Sequence, residues 1–263
     1  MREYIMNKGC ALMKRKNNCN GKRIMLIGAY GMEIVECGGT LYKNVLLGGV
    51  SHAVIAFASS EMRKDLVKSA EILNTSVEFI GLDVAEISAS PEEKKLVINE
   101  IRKFKPDIVI TQCPEHHVSD LDPGRRPFMT LALESLSLAG RNYAVDEYEP
   151  HAGATLYYMT PAKPNCIVDI LDAWEKKCEA MNILHTQLEF SSAYYEREFG
   201  ENELKKLVPE WSSLKTPLEK GTAIKTKIDL ATHMFYGACG HSATLFSEAF
   251  RKAELFELDN LLI

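Results

Sequence analysis

The sequence predicts an α/β protein: a Rossmann-like, doubly wound, mostly parallel sheet with helices on both faces. Short apolar runs alternate with charged amphipathic segments over the first 140 residues, and turn residues separate them. With 263 residues, the chain is long enough for one sizeable core. We divide it into an N-terminal extension, 1–22, and a single domain, 23–263, whose C-terminal layer looks irregular.

Four buried strands are predicted in the first half, because their apolar runs are continuous, as in parallel sheets. They cover residues 23–29, 53–58, 76–80 and 108–111. Helical spacing predicts helices between and after them, at 38–50, 61–73, 91–105 and 125–139. Ser90, followed by Glu92 and Glu93, is typical of a helix start.

The second half is less regular. We predict a strand over 155–159 and a helix from Asp169 to residue 186. Residues 188–225 are polar and look irregular, whereas 226–239 and 243–256 look helical. A strand over 245–250 is the alternative for the last segment.

Composition narrows the class of function. A formal net charge of -5 offers no basic surface for nucleic acid. No apolar run reaches the ~20 residues that span a bilayer, and the first 22 residues lack a signal-peptide core. The seven cysteines contain no C-x-x-C pair, so we expect reduced thiols in a cytoplasmic protein. Met13 is an alternative start.

Topology predicts where a ligand should bind. In doubly wound sheets, ligands lie beyond the carboxyl ends of strands, where the strand order reverses. The loops after the first strand, 29–40, and after the fourth, 112–124, are therefore the expected location of a site.

Several segments resemble the PIG-L/LmbE family of zinc-dependent N-deacetylases. Ala29–Glu33 followed by Cys37-Gly38-Gly39-Thr40 resembles the first signature of the family, and Pro114–Leu121 resembles its second signature. Pro106–Thr111, the 169–187 segment and Phe246–Arg251 match further family segments in the same order. The resemblance extends over roughly 23–251 and implies the same α/β fold.

The resemblance also implies a zinc site, and this sequence departs from it. The family binds zinc through a His and an Asp of A-H-P-D-D and the last His of H-x-D-H. At these positions stand Tyr30, Glu33 and Leu121, and Met32 replaces the catalytic base. A phenol with a pKa near 10 is a poor ligand at neutral pH, and leucine is none. We therefore predict that the usual zinc ligands are not retained.

Two functions remain open. The first is a small-molecule-binding or partner protein that keeps the fold without deacetylase chemistry. The second is a divergent enzyme, either an amide hydrolase with a rearranged metal site or a hydratase or lyase on a small carboxylate. The family includes a hydratase branch with an irregular first signature, and fold alone does not decide between these. The resemblance to the family is also compatible with assembly of this chain into a homo-oligomer.

Candidate site residues follow from the two loops. We predict Tyr30, His117 and Asp120 as catalytic residues. A relocated divalent metal could use Glu33, His117 and Asp120, but loop histidines and acids without diagnostic spacing are common.

Other residues are predicted to bind a small polar or anionic molecule. Arg125 and Arg126 could hold a carboxylate or phosphate, although an exposed pair on a first helical turn is the alternative. Gly38 and Gly39 open a helix whose N–H groups favour anions. His151 resembles a family residue that reaches the active site.

Overall fold

The computed structural model describes residues 21–145, 147–239 and 243–253, and the predicted extension therefore lies mostly outside the described residues. Within them, one seven-stranded sheet has the order β3-β2-β1-β4-β5-β7-β6. The first five strands of this order are parallel, and β7 runs antiparallel to both β5 and β6. The strands are β1 Arg23–Gly28, β2 Val50–Ile55, β3 Thr75–Phe79, β4 Ile108–Gln112, β5 Thr155–Met159, β6 Cys166–Asp169 and β7 Ser247–Lys252.

Helices cover both faces of the sheet. They are α1 Glu33–Glu36, α2 Gly38–Leu46, α3 Ser60–Ile72, α4 Pro91–Phe104, α5 Pro114–Val118, α6 Arg125–Ala139, α7 Trp174–Asn182, α8 His185–Phe199, α9 Glu201–Leu207 and α10 Pro217–Cys239. Among the described residues, two short 3₁₀ turns cover Leu171–Ala173 and Trp211–Ser213. No described helix is long and apolar enough to cross a membrane.

The alternation of side chains in β1 shows how one strand supports two cores. Ile24 and Leu26 face the core formed with α1, α2, α3 and α7. Met25 and Ile27 face the opposite core, formed with α4 and α6. Because both faces of β1 are buried, the strand is a continuous apolar run, as in other parallel sheets. The predicted α/β fold is thus confirmed.

Most first-half elements lie within a few residues of their predicted bounds. Helix α4 begins with a capping box: Ser90 accepts the Glu93 N–H, and the Glu93 carboxylate accepts the Ser90 N–H. The prediction for β2 was three residues late, because its ladder with β1 begins at Val50. Ala56 and Phe57, just beyond its end, pack into the core formed with α4 and α6, where Phe57 lies against Phe128.

The second half required the largest correction. Asp169 does not begin a helix but ends β6, and its carboxylate accepts the Leu171 N–H at 3.1 Å. The region 188–225 is mostly helical, with a small core of its own around Trp211. The last segment contains strand β7, as the alternative prediction had it, rather than a helix. The C-terminal layer is therefore mostly helical and adds two strands to the sheet.

Candidate ligand-binding crevice

A crevice of about 320 Å³ lies at the carboxyl ends of β1 and β4. These strands are neighbours, although β2 and β3 extend from β1 on one side and β4 begins the other side. The crevice is therefore at the reversal of strand order, where topology predicts a ligand. Its lining is Tyr30, Met32, Glu33, Glu36, Gln112, Cys113, His116, His117, Asp120, Arg125 and Thr160.

Glu33 organises the loop after β1. Its buried carboxylate accepts the N–H of Ala29 at 3.0 Å and of Gly31 at 2.8 Å, and a longer bond from Tyr30. The side-chain amide of Gln112 also donates to it. Gly31 has φ 98°, and a Cβ there would lie 2.6 Å from Leu66, so glycine lets the loop wrap around the carboxylate.

Gln112 links Glu33 to the second loop. Its Oε1 accepts a hydrogen bond from Arg125 Nη1 at 2.8 Å and lies 2.5 Å from His117 Nε2. His117 Nδ1 lies 2.8 Å from the carbonyl oxygen of Cys113, so both ring nitrogens face protein oxygens. Burial lowers the pKa of His117. The strand-end glutamine thus ties three predicted site residues into one network.

Tyr30 and Arg125 form a second part of the network. The Tyr30 O–H donates to Asp122 Oδ2 at 2.5 Å, and the Arg125 guanidinium lies 4.8 Å from the centre of the Tyr30 ring. Arg125 Nε lies 3.7 Å from Asp122 Oδ2 and 3.9 Å from Asp120 Oδ2. Burial, together with the bond to Asp122, raises the pKa of Tyr30 far above its ordinary value.

Glu36 contrasts with these engaged groups. Its carboxylate makes no hydrogen bond or ion pair with the described residues, although it lines the crevice. Burial raises the pKa of Glu36, and the nearby Glu33 acts in the same direction. A carboxyl group with a raised pKa in a crevice is a candidate acid or base.

The predicted metal trio is not assembled. Glu33 is occupied by four N–H donors, and both nitrogens of His117 face oxygens. In the described part of the chain, no three His, Cys, Asp or Glu side chains are placed to hold a metal ion. Leu121, at the position of a family ligand, is 95% exposed.

The helix start at Gly38 and Gly39 is already occupied. The buried carboxylate of Glu248 accepts the N–H of Gly39 at 2.9 Å and of Thr40 at 2.8 Å. Lys177 Nζ pairs with the same carboxylate at 2.7 Å. The anion that this helix start attracts is therefore a side chain of the protein, which corrects the prediction that the two glycines bind a ligand.

Two other predicted ligand residues lie outside the crevice. Arg126 is exposed and donates from Nη1 to the carbonyl oxygen of Asp120 at 2.5 Å. His151 Nε2 lies 2.8 Å from the carbonyl oxygen of Pro106, which precedes β4. His151 is thus at the amino end of the strands, opposite the crevice. Sequence adjacency misplaced Arg126, because consecutive helical residues point in different directions.

Sequence reasoning missed Gln112 and Thr160. Gln112 was detectable as a polar residue at the last position of a buried strand beside the reversal of strand order. Thr160 follows β5 with φ 43°, and nothing in the sequence marks it. Glu36 lies on the loop 29–40 that was predicted to form the site, but no binding or catalytic role was predicted for it.

Comparisons with known proteins place the fold. No protein-family profile matches the chain, and no curated protein sequence matches it. Similar solved structures include N,N′-diacetylchitobiose deacetylase from Pyrococcus horikoshii, with TM-score 0.64 and 20% identity, covering 100% of this chain and 98% of that one.

Two further structures have the same fold. The 4-carboxy-2-hydroxymuconate hydratase GalB from Pseudomonas putida has TM-score 0.64 and 16% identity, covering 90% of this chain and 98% of that one. A conserved protein from Thermus thermophilus has TM-score 0.66 and 17% identity, covering 90% of this chain and 97% of that one. This chain therefore has the fold of a group of structures that includes a deacetylase and a hydratase.

Proposed function

We propose that the crevice binds a small molecule bearing a carboxylate or similar anionic group, and that zinc-dependent deacetylation is not its chemistry. The observation that carries this proposal is the position of Arg125. Its guanidinium lies in the crevice lining, held by Gln112 and the Tyr30 ring, and its Nη2 makes no hydrogen bond with the described residues. Guanidinium groups bind carboxylates well because their donors match the geometry of the two oxygens.

The acidic residues of the crevice do not all oppose an anion. Backbone N–H groups already surround the charge of Glu33. Asp120 lies close to Arg125, and its Oδ1 accepts the Asp122 N–H. The raised pKa of Glu36 favours its neutral form. Arg125 is thus the charged group best placed to bind a ligand.

The proposal about zinc rests on the donor set. The Tyr30 O–H donates a hydrogen bond to Asp122, Glu33 has no free acceptor position, and Leu121 is exposed. Zinc requires deprotonated ligands that converge on one point and an open position for water. The residues present do not fit that requirement.

A thermal-shift experiment tests the ligand proposal. Dicarboxylates, sugar phosphates and inorganic phosphate should raise the unfolding midpoint, because a ligand at 100 times its Kd adds about 2.7 kcal/mol of stability. Arg125→Gln should abolish that shift, measured against its own ligand-free midpoint. Arg126→Gln is the matched control and should keep it. An unchanged shift in Arg125→Gln, or shifts from neutral sugars alone, would refute the proposal.

Elemental analysis tests the zinc proposal separately. Protein purified without added metal should hold no stoichiometric zinc, and no amide hydrolysis of acetylated sugars should be detected. Stoichiometric zinc that is lost on Glu33→Gln or His117→Gln would instead support the divergent amide hydrolase with a rearranged metal site.

A second candidate function is a hydratase or lyase that acts on a small carboxylate. The observation that favours it is Glu36, a carboxyl group with a raised pKa and no described hydrogen-bond partner, which lines the same crevice as the proposed anchor Arg125. An enzyme that adds or removes water needs an acid or base beside the bound substrate. If a dicarboxylate binds, its conversion should stop in Glu36→Gln while its binding persists. If the unaltered protein binds the dicarboxylate but does not convert it, the hydratase candidate fails and only the ligand-binding proposal stands.

A further inference from the structure

A small inner chamber lies behind the crevice. Its volume is about 30 Å³, and Glu36 and Thr160 line both cavities. The rest of its wall includes Thr232, His233 and Tyr236 from α10 and Cys37 from the end of α1. The chamber is therefore a neighbour of the crevice, separated from it by Glu36 and Thr160.

His233 presents an unused acceptor in this chamber. The side chain is buried, at 5% exposure, and its Nδ1 lies 3.0 Å from the carbonyl oxygen of Ser247. Nδ1 must carry the proton, since a carbonyl oxygen only accepts. Nε2 is buried and has no hydrogen-bond partner among the described residues.

The ring is neutral at physiological pH. Burial lowers the pKa of His233 to about 4, and Lys177 acts in the same direction. Nε2 therefore carries a lone pair rather than a proton. Trp174 and Phe246 pack edge-on against the imidazole and fix its orientation. A buried acceptor left unpaired costs about 1–3 kcal/mol, so such a group usually has an ordered partner.

The chamber has the size of a water site, and its mostly apolar wall contains a few polar side chains. A buried water molecule needs a cavity volume of roughly 10–15 Å³ and two to four polar partners. His233 supplies one acceptor, and Glu36 and the two threonines supply further polar groups in the lining. An apolar occupant would leave Nε2 unpaired and is therefore disfavoured.

The two lysines nearest Glu36 are each paired with another carboxylate. Lys177 pairs with Glu248 at 2.7 Å, and Lys225 pairs with Asp229 at 3.5 Å. Glu33 and Asp229 are the acids that raise the pKa of Glu36, and Glu33 is occupied by N–H donors. Because both lysines are shared with other carboxylates, they only partly offset the burial that raises the pKa of Glu36. In its neutral form the carboxyl group has a proton to donate.

We propose that the chamber holds one ordered water molecule, which donates its hydrogens to His233 Nε2 and to the carbonyl oxygen of the Glu36 carboxyl group, and that this chain thereby positions Glu36 as the proton donor of the crevice, with its O–H left for the bound molecule. This deepens the second candidate function and rests on it for the use of the proton. The proton passes from the carboxyl group to a basic atom of the bound molecule. The carboxylate then regains a proton from solvent, so Glu36 is unchanged over a cycle. His233 is a positioning residue that stays neutral.

The first test is structural and needs no ligand. A crystal structure at a resolution that shows buried waters should place one water within hydrogen-bond distance of His233 Nε2 and a Glu36 oxygen. His233→Phe should exclude that water, because the substituted ring fills the site and offers no acceptor. An empty chamber in the unaltered protein would refute the proposal.

The second test is spectroscopic. The infrared carbonyl band of protonated Glu36 is identified by its loss in Glu36→Gln. It should move to higher frequency in His233→Phe, because the carboxyl group loses its partner, and it should stay near its original position in His233→Gln, which retains an acceptor. A band that does not move in His233→Phe would overturn the proposal even if that variant is less stable.

These two tests separate the inference from the proposed function. Both measure the ligand-free protein, so they give the same result whether or not an anion binds. If no anion raises the unfolding midpoint, the ligand proposal fails and the water site stands. If the water or the band shift is missing, the inference fails while the ligand proposal stands.

Discussion

Glu33 and Glu36 lie one helical turn apart in α1, yet their surroundings are opposite. Glu33 accepts N–H groups of the loop after β1 and the Gln112 amide, and it is 2% exposed. Glu36 lines the crevice and the inner chamber and has no hydrogen-bond partner among the described residues. The same side chain thus holds a loop in one position and is left without a described hydrogen-bond partner in the other, where we propose that it transfers a proton.

The difference arises from where each residue points. Glu33 faces back along the chain, into a turn that Gly31 permits by its positive φ. Glu36 faces away from that turn, toward the pairs formed by Lys177 with Glu248 and by Lys225 with Asp229. Residue type therefore does not decide whether a carboxylate is engaged by the protein here. The supply of hydrogen-bond donors around each carboxylate decides it.

The largest effect is expected for Glu33→Ala. It leaves several buried N–H groups without an acceptor, so the free energy of unfolding should fall by about 3–5 kcal/mol. Urea unfolding measures this. The matched variant Glu36→Gln should lose less than about 1 kcal/mol, since no protein hydrogen bond is removed. Equal losses in the two variants would contradict the contrast drawn between them.

Lys177→Met should have the next largest effect. It leaves Glu248 buried with only the N–H groups of Gly39 and Thr40, so we expect a loss of about 3 kcal/mol. The double variant Lys177→Met, Glu248→Gln should recover part of it. If the single variant were as stable as the unaltered protein, the buried pair would not be a structural element comparable to Glu33.

The pH dependence of stability distinguishes the two carboxylates without disrupting the fold. Because the folded pKa of Glu36 is raised, the native state holds its proton longer than the unfolded state does. Stability should therefore be unaffected by Glu36 below the unfolded pKa and decrease as the pH rises toward the folded pKa. Glu36→Gln should remove this decrease, so the variant gains relative stability between those two pKa values. Parallel stability–pH curves for the two proteins would argue against a raised pKa.

Tyr30→Phe should have a smaller effect. It removes the O–H bond to Asp122 but keeps the ring contacts with Phe57 and Arg125, so a loss of about 1 kcal/mol is expected. In the unaltered protein the tyrosinate absorbance of Tyr30 should be missing at a pH where free tyrosine ionises, because the pKa of Tyr30 is raised. Normal ionisation of all tyrosines would contradict the bonded geometry.

Leu121→His is expected to have the smallest effect. The side chain is 95% exposed, so the free energy of unfolding should change by less than about 0.5 kcal/mol. Zinc affinity, measured by calorimetry, should not rise, because the substituted residue lies apart from an already occupied Glu33. A clear gain in zinc binding would show that the two loops approach each other more closely than the structure indicates.

Several features could be predicted from the sequence because they depend on local chemistry. Continuous apolar runs predicted β1 and β4, and helical spacing predicted α6 at its observed bounds. Strand–helix alternation then implied a reversal of strand order and a crevice between loops 29–40 and 112–124. Tyr30, His117, Asp120 and Arg125 line that crevice, while their predicted roles remain to be tested.

Only the tertiary structure decided which of those groups is free. Glu248, more than 200 residues away in the chain, occupies the helix start at Gly39, and Gln112 links Glu33 to Arg125. The chamber at His233 forms where α10 and β7 pack beside α1. A sequence shows which donors and acceptors exist, but partners distant in the chain meet only after folding. Whether a polar group holds the structure or is left for a ligand depends on those long-range partners.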